Sequence, residues 1–241
     1  MDRTEEDAAL PSPVSIDLSA PVRELWLERI RVTVQDSYVG VPLRKLPEDL
    51  RVYEHLMWLS RCNVVIELGS NMGGSALWFR DRLMSLAAYG VIERPLVISI
   101  DAATTSAAGA NLSAVDPNWR ESIALVQGDI RDPGLANHVR SLVPEGSRCL
   151  VTEDTAHRYE TTLAALRGFS QFVPVDGFFV VEDGNVDVEE MRPPRRPNWP
   201  RGVLPALREW LAGEGANFRM RRDLELYGLT SNVEGYLQRV A

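Results

Sequence analysis

From residue 63 onward, short apolar runs alternate with stretches of helical periodicity, and this alternation constrains the fold more than any other feature. Five runs have the continuous apolar character of buried strands: "NVVIELG" (63–69), "PLVISID" (95–101), "SIALVQGD" (122–129), "RCLVTED" (148–154) and "GFFVVED" (177–183). Strands of this kind that alternate with helices form a parallel sheet covered on both faces. The sequence therefore predicts an α/β fold with helices on both sides of one sheet.

The remaining segments complete this prediction. Helices are expected at 74–89, 132–143, 158–173 and 203–215, and a terminal strand pair in "FRMRRDLELYGLT" and "GYLQRV". Helical spacing of apolar residues also appears in 21–36 and in the second half of 38–61. Residues 1–20 are acidic and Pro-rich, and are expected to form a loose arm. We predict an N-terminal arm and helical cap over 1–59 and a ligand-binding domain over 60–241.

Composition excludes several classes of protein. A net charge of −8 and a pI near 5 argue against a nucleic-acid binder that uses a basic surface. No apolar run approaches the roughly 20 residues of a membrane span. The acidic N-terminus lacks the apolar segment of a secretory signal, so a cytoplasmic protein is expected. Cys62 and Cys149 are expected to be buried free thiols, and two cysteines with three histidines make a structural zinc site unexpected.

A glycine-rich turn, "IELGSNMGGSALWF", lies between the first predicted strand and its helix. Glycines let the backbone turn sharply and approach a ligand, and open α/β sheets bind ligands at the carboxyl ends of their strands. The spacing is neither a phosphate loop nor a G-x-G-x-x-G dinucleotide motif. The next two strands end in Asp101 and Asp129, where acids commonly contact a ribose or a base. Either acid alone could be a solvated residue at a strand end. Glu67, the glycine turn, Asp101 and Asp129 at successive strand ends together favour a nucleoside cofactor.

These residues resemble the class I S-adenosylmethionine-dependent methyltransferases, which have an acidic residue, a Gly-x-Gly-x-Gly turn and an acid after the second strand. Asn71 replaces the middle glycine here. The resemblance covers about 60–240 and implies a Rossmann-like, seven-stranded, mostly parallel sheet with an antiparallel last strand. The cofactor would then contact Glu67, Gly69, Ser70, Asn71, Gly73, Ser75, Asp101, Ala102 and Asp129.

Acidic residues also follow the fourth and fifth predicted strands. Asp154 ends the fourth strand with His157 shortly after it, and the fifth ends in Glu182 and Asp183. All these strand ends share one edge of a parallel sheet, so the three carboxyl groups can converge into a site for Mg²⁺ or Ca²⁺. Such an ion would remove the repulsion within the Glu-Asp pair and could bind a substrate hydroxyl. The alternative is that these acids cap loops or pair with the arginines of 192–201.

A closer resemblance is carried by "WFRDRL", "DTAH" and "VVEDGN" together with "YVGVPLRKLPEDL". Over about 38–202 the chain resembles the cephalosporin hydroxylase/rhamnosyl O-methyltransferase family. The resemblance implies an S-adenosylmethionine-dependent O-methyltransferase of natural-product biosynthesis that acts on a hydroxyl, with a sugar as the expected acceptor. It also implies magnesium held by Asp154, Glu182 and Asp183.

His157 and Asp154 are the candidate catalytic residues, and His157, beside the predicted metal site, is the candidate general base. The alternative is that His157 orients a carboxylate or caps the next helix. The sequence is also compatible with two other functions. One is a component of cephalosporin 7-hydroxylation/methoxylation, and the other is a non-catalytic, cofactor-binding partner subunit.

The segment "MRPPRRPNWPRG" (191–202) follows the fifth strand and is the candidate acceptor-binding loop. Its arginines could clamp a diphosphate and its tryptophan could stack on a ring; the alternative, which the sequence favours slightly, is a solvated loop whose arginines pair with the acidic surface. "YVGVPLRK" (38–45) would close the other side, with Arg44 and Lys45 as weaker candidates. The named candidates are Arg192, Arg195, Arg196, Trp199 and Tyr38.

The expected partner is a small molecule, a natural-product glycoside or nucleotide sugar, with no nucleic acid and no membrane. Trp26 and Leu27 would support either a homo-oligomer or core packing.

Overall fold

A computed structural model describes residues 21–103, 105–192, 198 and 200–241 of the chain. The predicted loose arm over 1–20 lies outside the described residues. So do three of the acceptor-side candidates: Arg195, Arg196 and Trp199.

The strands of the described chain are β1 (Ser37–Tyr38), β2 (Val41–Pro42), β3 (Val64–Leu68), β4 (Leu96–Asp101), β5 (Ile123–Gln127), β6 (Cys149–Glu153), β7 (Phe178–Val181), β8 (Phe218–Met220) and β9 (Tyr236–Arg239). β1 and β2 form a small hairpin, and the other seven form one sheet in the order β5-β4-β3-β6-β7-β9-β8. Strands β3 to β7 are parallel, while β9 runs antiparallel between β7 and β8. The predicted Rossmann-like sheet with a reversed last strand is confirmed.

The helices are α1 (Val22–Thr33), α2 (Pro47–Ser60), α3 (Gly74–Ala88), α4 (Ser106–Val115), α5 (Leu135–Leu142), α6 (Tyr159–Phe169) and α7 (Val203–Ala212). Sequence reasoning missed α4. Its segment is rich in Ala, Ser and Gly, and it buries only Ala108 and Leu112, so its apolar face is too narrow to stand out.

Each face of the sheet is covered by its own apolar layer. Helices α6 and α7 pack on one face through residues such as Leu166 and Leu207, and α2 and α3 pack on the other through Tyr53, Met57 and Phe79. Burying one such side chain contributes about 1.5–3 kcal/mol. The N-terminal segment that was predicted to be a cap therefore supplies part of the core through α2.

The two cysteines, Cys62 and Cys149, are buried free thiols, as predicted. Burial raises the pKa of each to about 12, so both are poor nucleophiles at neutral pH.

Helix α1 is attached to the body of the protein on its inner side. Trp26 is only 2% exposed, and its indole nitrogen donates a hydrogen bond to the Met191 carbonyl oxygen at 2.6 Å. Arg29 pairs with Glu48 at the start of α2. Trp26 is therefore a packing residue, the second of the two roles considered for it, and a homo-oligomer stays a prediction. In the described part of the chain, no helix combines the length and apolarity that crossing a membrane requires.

Candidate active site

The register of the parallel strands brings the predicted functional segments together. Leu68 of β3 lies beside Glu153 of β6, and the Asp154 N–H donates to the Leu68 carbonyl at 2.8 Å. The Glu182 N–H in turn donates to the Glu153 carbonyl at 2.9 Å. The glycine turn and both acidic strand ends therefore lie side by side, at the edge where open α/β sheets bind ligands.

The glycine turn is packed directly against the acidic strand end. Gly69 has φ +113°, and a Cβ atom there would lie 2.0 Å from the Asp154 carbonyl oxygen. A Cβ on Gly74 would lie 2.1 Å from the Pro42 carbonyl oxygen, in the β1–β2 hairpin. Glycine is thus required at both positions by close backbone approach, and at Gly69 also by the positive φ.

A buried polar group lies beneath this turn. Glu67 is fully buried and accepts a hydrogen bond from the Ser99 hydroxyl, which also contacts the Ser70 hydroxyl at 2.7 Å. Burial raises the pKa of Glu67 to about 7, and the positive charge of Lys45 opposes this effect. Glu67 and Ser70 therefore support the turn from below.

A cavity of about 630 Å³ opens over the turn, a size within the usual range for cofactor sites. Five predicted cofactor residues line it: Gly69, Asn71, Asp101, Ala102 and Asp129. Four others do not line it: Glu67, Ser70, Gly73 and Ser75. Sequence reasoning missed three apolar residues of the lining: Met72, Ile100 and Ile130. The signal that could have identified them is their position in the sequence, next to a strand end or within the glycine turn. Their apolar surface suits one face of a nucleoside base.

The two acids of this cavity have different environments. The Asp101 carboxylate accepts hydrogen bonds from the backbone N–H groups of Asn71, at 3.1 Å, and Ala103, at 2.9 Å. Asp129 is bound by Arg131, and the hydrogen bond from that side chain lowers the pKa of Asp129 to about 2. Both carboxylates are therefore held in place at the cavity wall.

A second, smaller cavity of about 200 Å³ adjoins the first. Four of its wall residues are site residues already described: Asn71, Asp154, His157 and Asp183. The others are Ile30 and Thr33 of α1, Val34 directly after α1, Arg44, Asn185, Val186, Arg192 and Ser231. Asn71, Asp154 and His157 line both cavities. The predicted acceptor residue Arg192 is thus at a cavity. Tyr38 lines neither cavity, because its hydroxyl donates to Asp81 at 2.9 Å.

Asp154, His157 and Asp183 form a compact cluster between the cavities. Each offers one ligand atom, and these atoms lie within 4.8 Å of one another. His157 Nε2 is 3.3 Å from Asp183 Oδ2, while its Nδ1 is buried with no hydrogen-bond partner among the described residues.

The charges of this cluster act on one another. Burial raises the pKa of Asp183 to about 7 even though His157 opposes the shift. Burial alone would lower the pKa of His157, but Asp183 and Asp154 outweigh it and hold that pKa above its ordinary value. The protein thus concentrates negative charge where a cation is expected.

Glu182, predicted as a third metal ligand, lies outside this cluster. Lys45 Nζ is 2.6 Å from both carboxylate oxygens of Glu182 and 2.8 Å from Asp154 Oδ2. The hydroxyls of Tyr53 and Thr152 also donate to Glu182, at 2.7 and 2.6 Å. Glu182 therefore points inward to a lysine and Asp183 to the smaller cavity. The arginine pairing considered as an alternative does not occur at these acids among the described residues.

Sequence reasoning assigned Lys45 only to the wall of the pocket. Its partners are 109 and 137 positions away, so no local pattern reveals the contact. Burial alone would lower the pKa of Lys45, but the carboxylates of Asp154 and Glu182 outweigh it and hold that pKa above its ordinary value. Lys45 is a fixed positive charge at this site.

Comparisons with known proteins agree with this geometry. The model of a family described as Rhamnosyl O-methyltransferase/CmcI matches residues 30–240. The rhamnosyl O-methyltransferase of Mycobacterium bovis is 22% identical over 218 residues, covering 89% of this chain and 82% of the relative.

Among solved structures, CmcI described as an apo form is similar with a TM-score of 0.62, at 24% identity over 86% of this chain and 77% of that one. CmcI described with Mg and SAM also gives a TM-score of 0.62, at 22% identity over 97% of this chain and 90% of that one. At identities of 24% and 22%, the structural likeness shows that the folds are alike and shows nothing further.

Proposed function

We propose that this chain, which belongs to the rhamnosyl O-methyltransferase/CmcI family, methylates a sugar hydroxyl of a natural product with the help of Mg²⁺. The family match shows that it is an S-adenosylmethionine-dependent O-methyltransferase. The observation that carries the proposal is the shared wall of the two cavities. Asn71, Asp154 and His157 face both the larger cavity, over the glycine turn, and the smaller one beside α1. A donor in the first and an acceptor in the second would meet at these residues, which is the alignment that group transfer needs.

The donor atoms present suit magnesium. Mg²⁺ commonly uses one or two carboxylates, with water or substrate oxygens in its other positions. Asp154 and Asp183 would supply those carboxylates. A related CmcI structure is described as holding Mg and SAM. The metal would supply a Lewis acid that favours the ionised hydroxyl, and S-adenosylmethionine would supply the electrophilic methyl group.

His157 is the group that would take the proton of the acceptor hydroxyl. Its Nδ1 is free of partners among the described residues, and Asp183 is placed at its Nε2, 3.3 Å away. An imidazole acts as a base only when it is neutral. Mg²⁺ bound to Asp154 and Asp183 would offset their negative charges and so weaken the interactions that favour the protonated form of His157.

The smaller cavity suits a single ring. Its volume of about 200 Å³ lies below that of sites for drug-sized ligands, so it would hold one sugar unit while the rest of a glycoside stays outside. Ile30, Val34 and Val186 supply an apolar wall, and Arg44 and Arg192 supply hydrogen-bond donors. The relative from Mycobacterium bovis is a rhamnosyl O-methyltransferase by name, and an apolar wall suits a sugar that bears a methyl group.

The test has two stages. S-adenosylhomocysteine is first titrated into the protein by calorimetry, with and without MgCl₂. Methyl transfer from S-adenosylmethionine is then followed by mass spectrometry with a rhamnoside, a nucleotide sugar and catechol as acceptors. We expect nucleoside binding in both titrations, and methylation of a sugar that stops on adding EDTA.

The outcomes separate the functions that the sequence left open. Methylation that persists in EDTA would refute the metal role, and exclusive methylation of catechol would refute the sugar. Tight S-adenosylhomocysteine binding without transfer to any acceptor would favour a cofactor-binding partner subunit.

A further inference from the structure

The sequence uses lysine in an unusual way. Lys45 is the only lysine among 26 lysine and arginine residues. Its side chain is only 3% exposed and contacts Asp154, which belongs to the candidate metal cluster, and Glu182, which lies directly behind it. An ammonium group is a compact point charge, whereas the planar guanidinium favours a single carboxylate in a bidentate arrangement. A lysine therefore suits a small space shared by two carboxylates.

The contact fixes the charge of the site. Asp154, Asp183 and Glu182 carry three negative charges when ionised, and Lys45 supplies one positive charge within hydrogen-bond distance of two of them. With a neutral His157, the group as a whole then carries two negative charges. In a partly buried site charges interact more strongly than in bulk water, so the net charge influences which cation binds.

We propose that Lys45 sets the ion specificity of the metal site, because its fixed charge matches the three carboxylates to a divalent cation. The inference rests on the proposed metal-assisted function. The Tyr53 and Thr152 hydroxyls donate hydrogen bonds to Glu182 and hold its carboxylate against the Lys45 ammonium group. Lys45 is thus a positioning residue that acts on the metal through Asp154 and Glu182.

The experiment compares Ca²⁺ with Tb³⁺, two ions of similar size that differ by one charge. Calorimetry would give the affinity of each ion for the full chain, for Lys45→Met, for Glu182→Gln and for the double variant. We expect the ratio of Tb³⁺ to Ca²⁺ affinity to rise roughly tenfold in Lys45→Met, where the acidic group gains a net negative charge. The ratio should fall in Glu182→Gln and return close to the wild-type value in the double variant, whose net charge equals that of the wild type.

A ratio that is unchanged in a folded Lys45→Met protein would overturn the inference, while leaving the proposed metal site intact. Failure of the wild type to bind Mg²⁺, Ca²⁺ and Tb³⁺ would overturn both. If Lys45→Met does not fold, the double variant and Glu182→Gln still decide the question, because a charge effect requires their ratios to differ from each other. In addition, ¹⁵N-lysine labelling gives a single side-chain ammonium signal, which Mn²⁺ should broaden; an unaffected signal would contradict the proposed proximity.

Discussion

The two cavities meet at Asn71, Asp154 and His157, yet their walls are built in different ways. The larger cavity is formed by a turn and strand ends that follow one another in the chain, and main-chain geometry shapes it, as at Gly69. The smaller cavity depends on side chains brought from distant segments, such as Ile30 and Asp183. We infer that backbone packing defines the donor side, while charge and side-chain contacts define the acceptor side.

The comparison is tested most strongly at Asp183, which lines only the smaller cavity. Asp183→Asn removes a proposed metal ligand and the partner of His157. We expect methyl transfer to fall by about a thousandfold, equivalent to about 4 kcal/mol, with S-adenosylhomocysteine affinity changed by less than about threefold. Calorimetry and initial rates measure the two effects.

Asp176→Asn is the matched control for this change. Asp176 lies just before β7 and Asp183 just after it, and both have a positive φ, of 63° and 57°. Asn tolerates this conformation, so the control should keep wild-type rates. Equal loss of cofactor affinity and rate in Asp183→Asn would mean that the two sides are not separable.

Gly69→Ala tests the backbone side. The new Cβ would lie 2.0 Å from the Asp154 carbonyl oxygen, and φ is +113°. We expect a loss of about 3 kcal/mol in the free energy of unfolding, together with weaker S-adenosylhomocysteine binding, because the turn and the β6 end must move apart. Urea unfolding and calorimetry measure these changes.

Gly168→Ala is the control for this change. Gly168 sits in α6, and beyond its chain neighbours and the backbone of its own helix no atom lies within 4 Å of the position that a Cβ would take. The substitution should be neutral or slightly stabilising. Unchanged cofactor affinity in a destabilised Gly69→Ala protein would show that the turn does not shape the donor site.

The difference between the two sides also explains what the sequence could predict. The parallel sheet, the glycine turn and Asp101 are encoded by local patterns, and the structure has them where they were expected. The partner of Glu182 was not predictable, because periodicity and strand-end position describe neighbours in one element and not a lysine 137 positions away. Trp26 was ambiguous for the same reason, since its partner, the Met191 carbonyl, belongs to a distant turn.

Glu67 provides a pH test beneath the donor side. Its pKa in the folded protein is about 7, above its ordinary value of 4.5, so the folded protein retains a proton that the unfolded chain releases. This contribution to stability is fully present below pH 4.5 and is lost as the pH rises through 7. Between pH 5 and 7 this titration should lower the free energy of unfolding of the wild type by about 2 kcal/mol, and we expect that decrease to be absent in Glu67→Gln.

Urea unfolding at several pH values measures the slope for Glu67→Gln and for the wild type. Parallel stability profiles for the two proteins would contradict the assignment of this proton to Glu67.

The smallest effect is expected at Tyr53. It tests whether the hydrogen bonds that Glu182 accepts, behind the acceptor side, stabilise the fold. Its hydroxyl donates to Glu182 at 2.7 Å, and Lys45 and Thr152 also donate to that carboxylate. Tyr53→Phe keeps the ring packed on Phe79 and removes one of these donors. We expect a loss of about 1 kcal/mol in the free energy of unfolding, because the remaining donors still satisfy the carboxylate.

Tyr89→Phe is the control for this change, since Tyr89 is 82% exposed and its hydroxyl remains in water. Its unfolding free energy should equal that of the wild type within about 0.5 kcal/mol. A loss in Tyr53→Phe as large as that in Gly69→Ala would mean that Glu182 depends on Tyr53 more than on Lys45. The acceptor side would then owe its geometry to α2 packing, and the contrast between a backbone-defined donor side and a charge-defined acceptor side would fail.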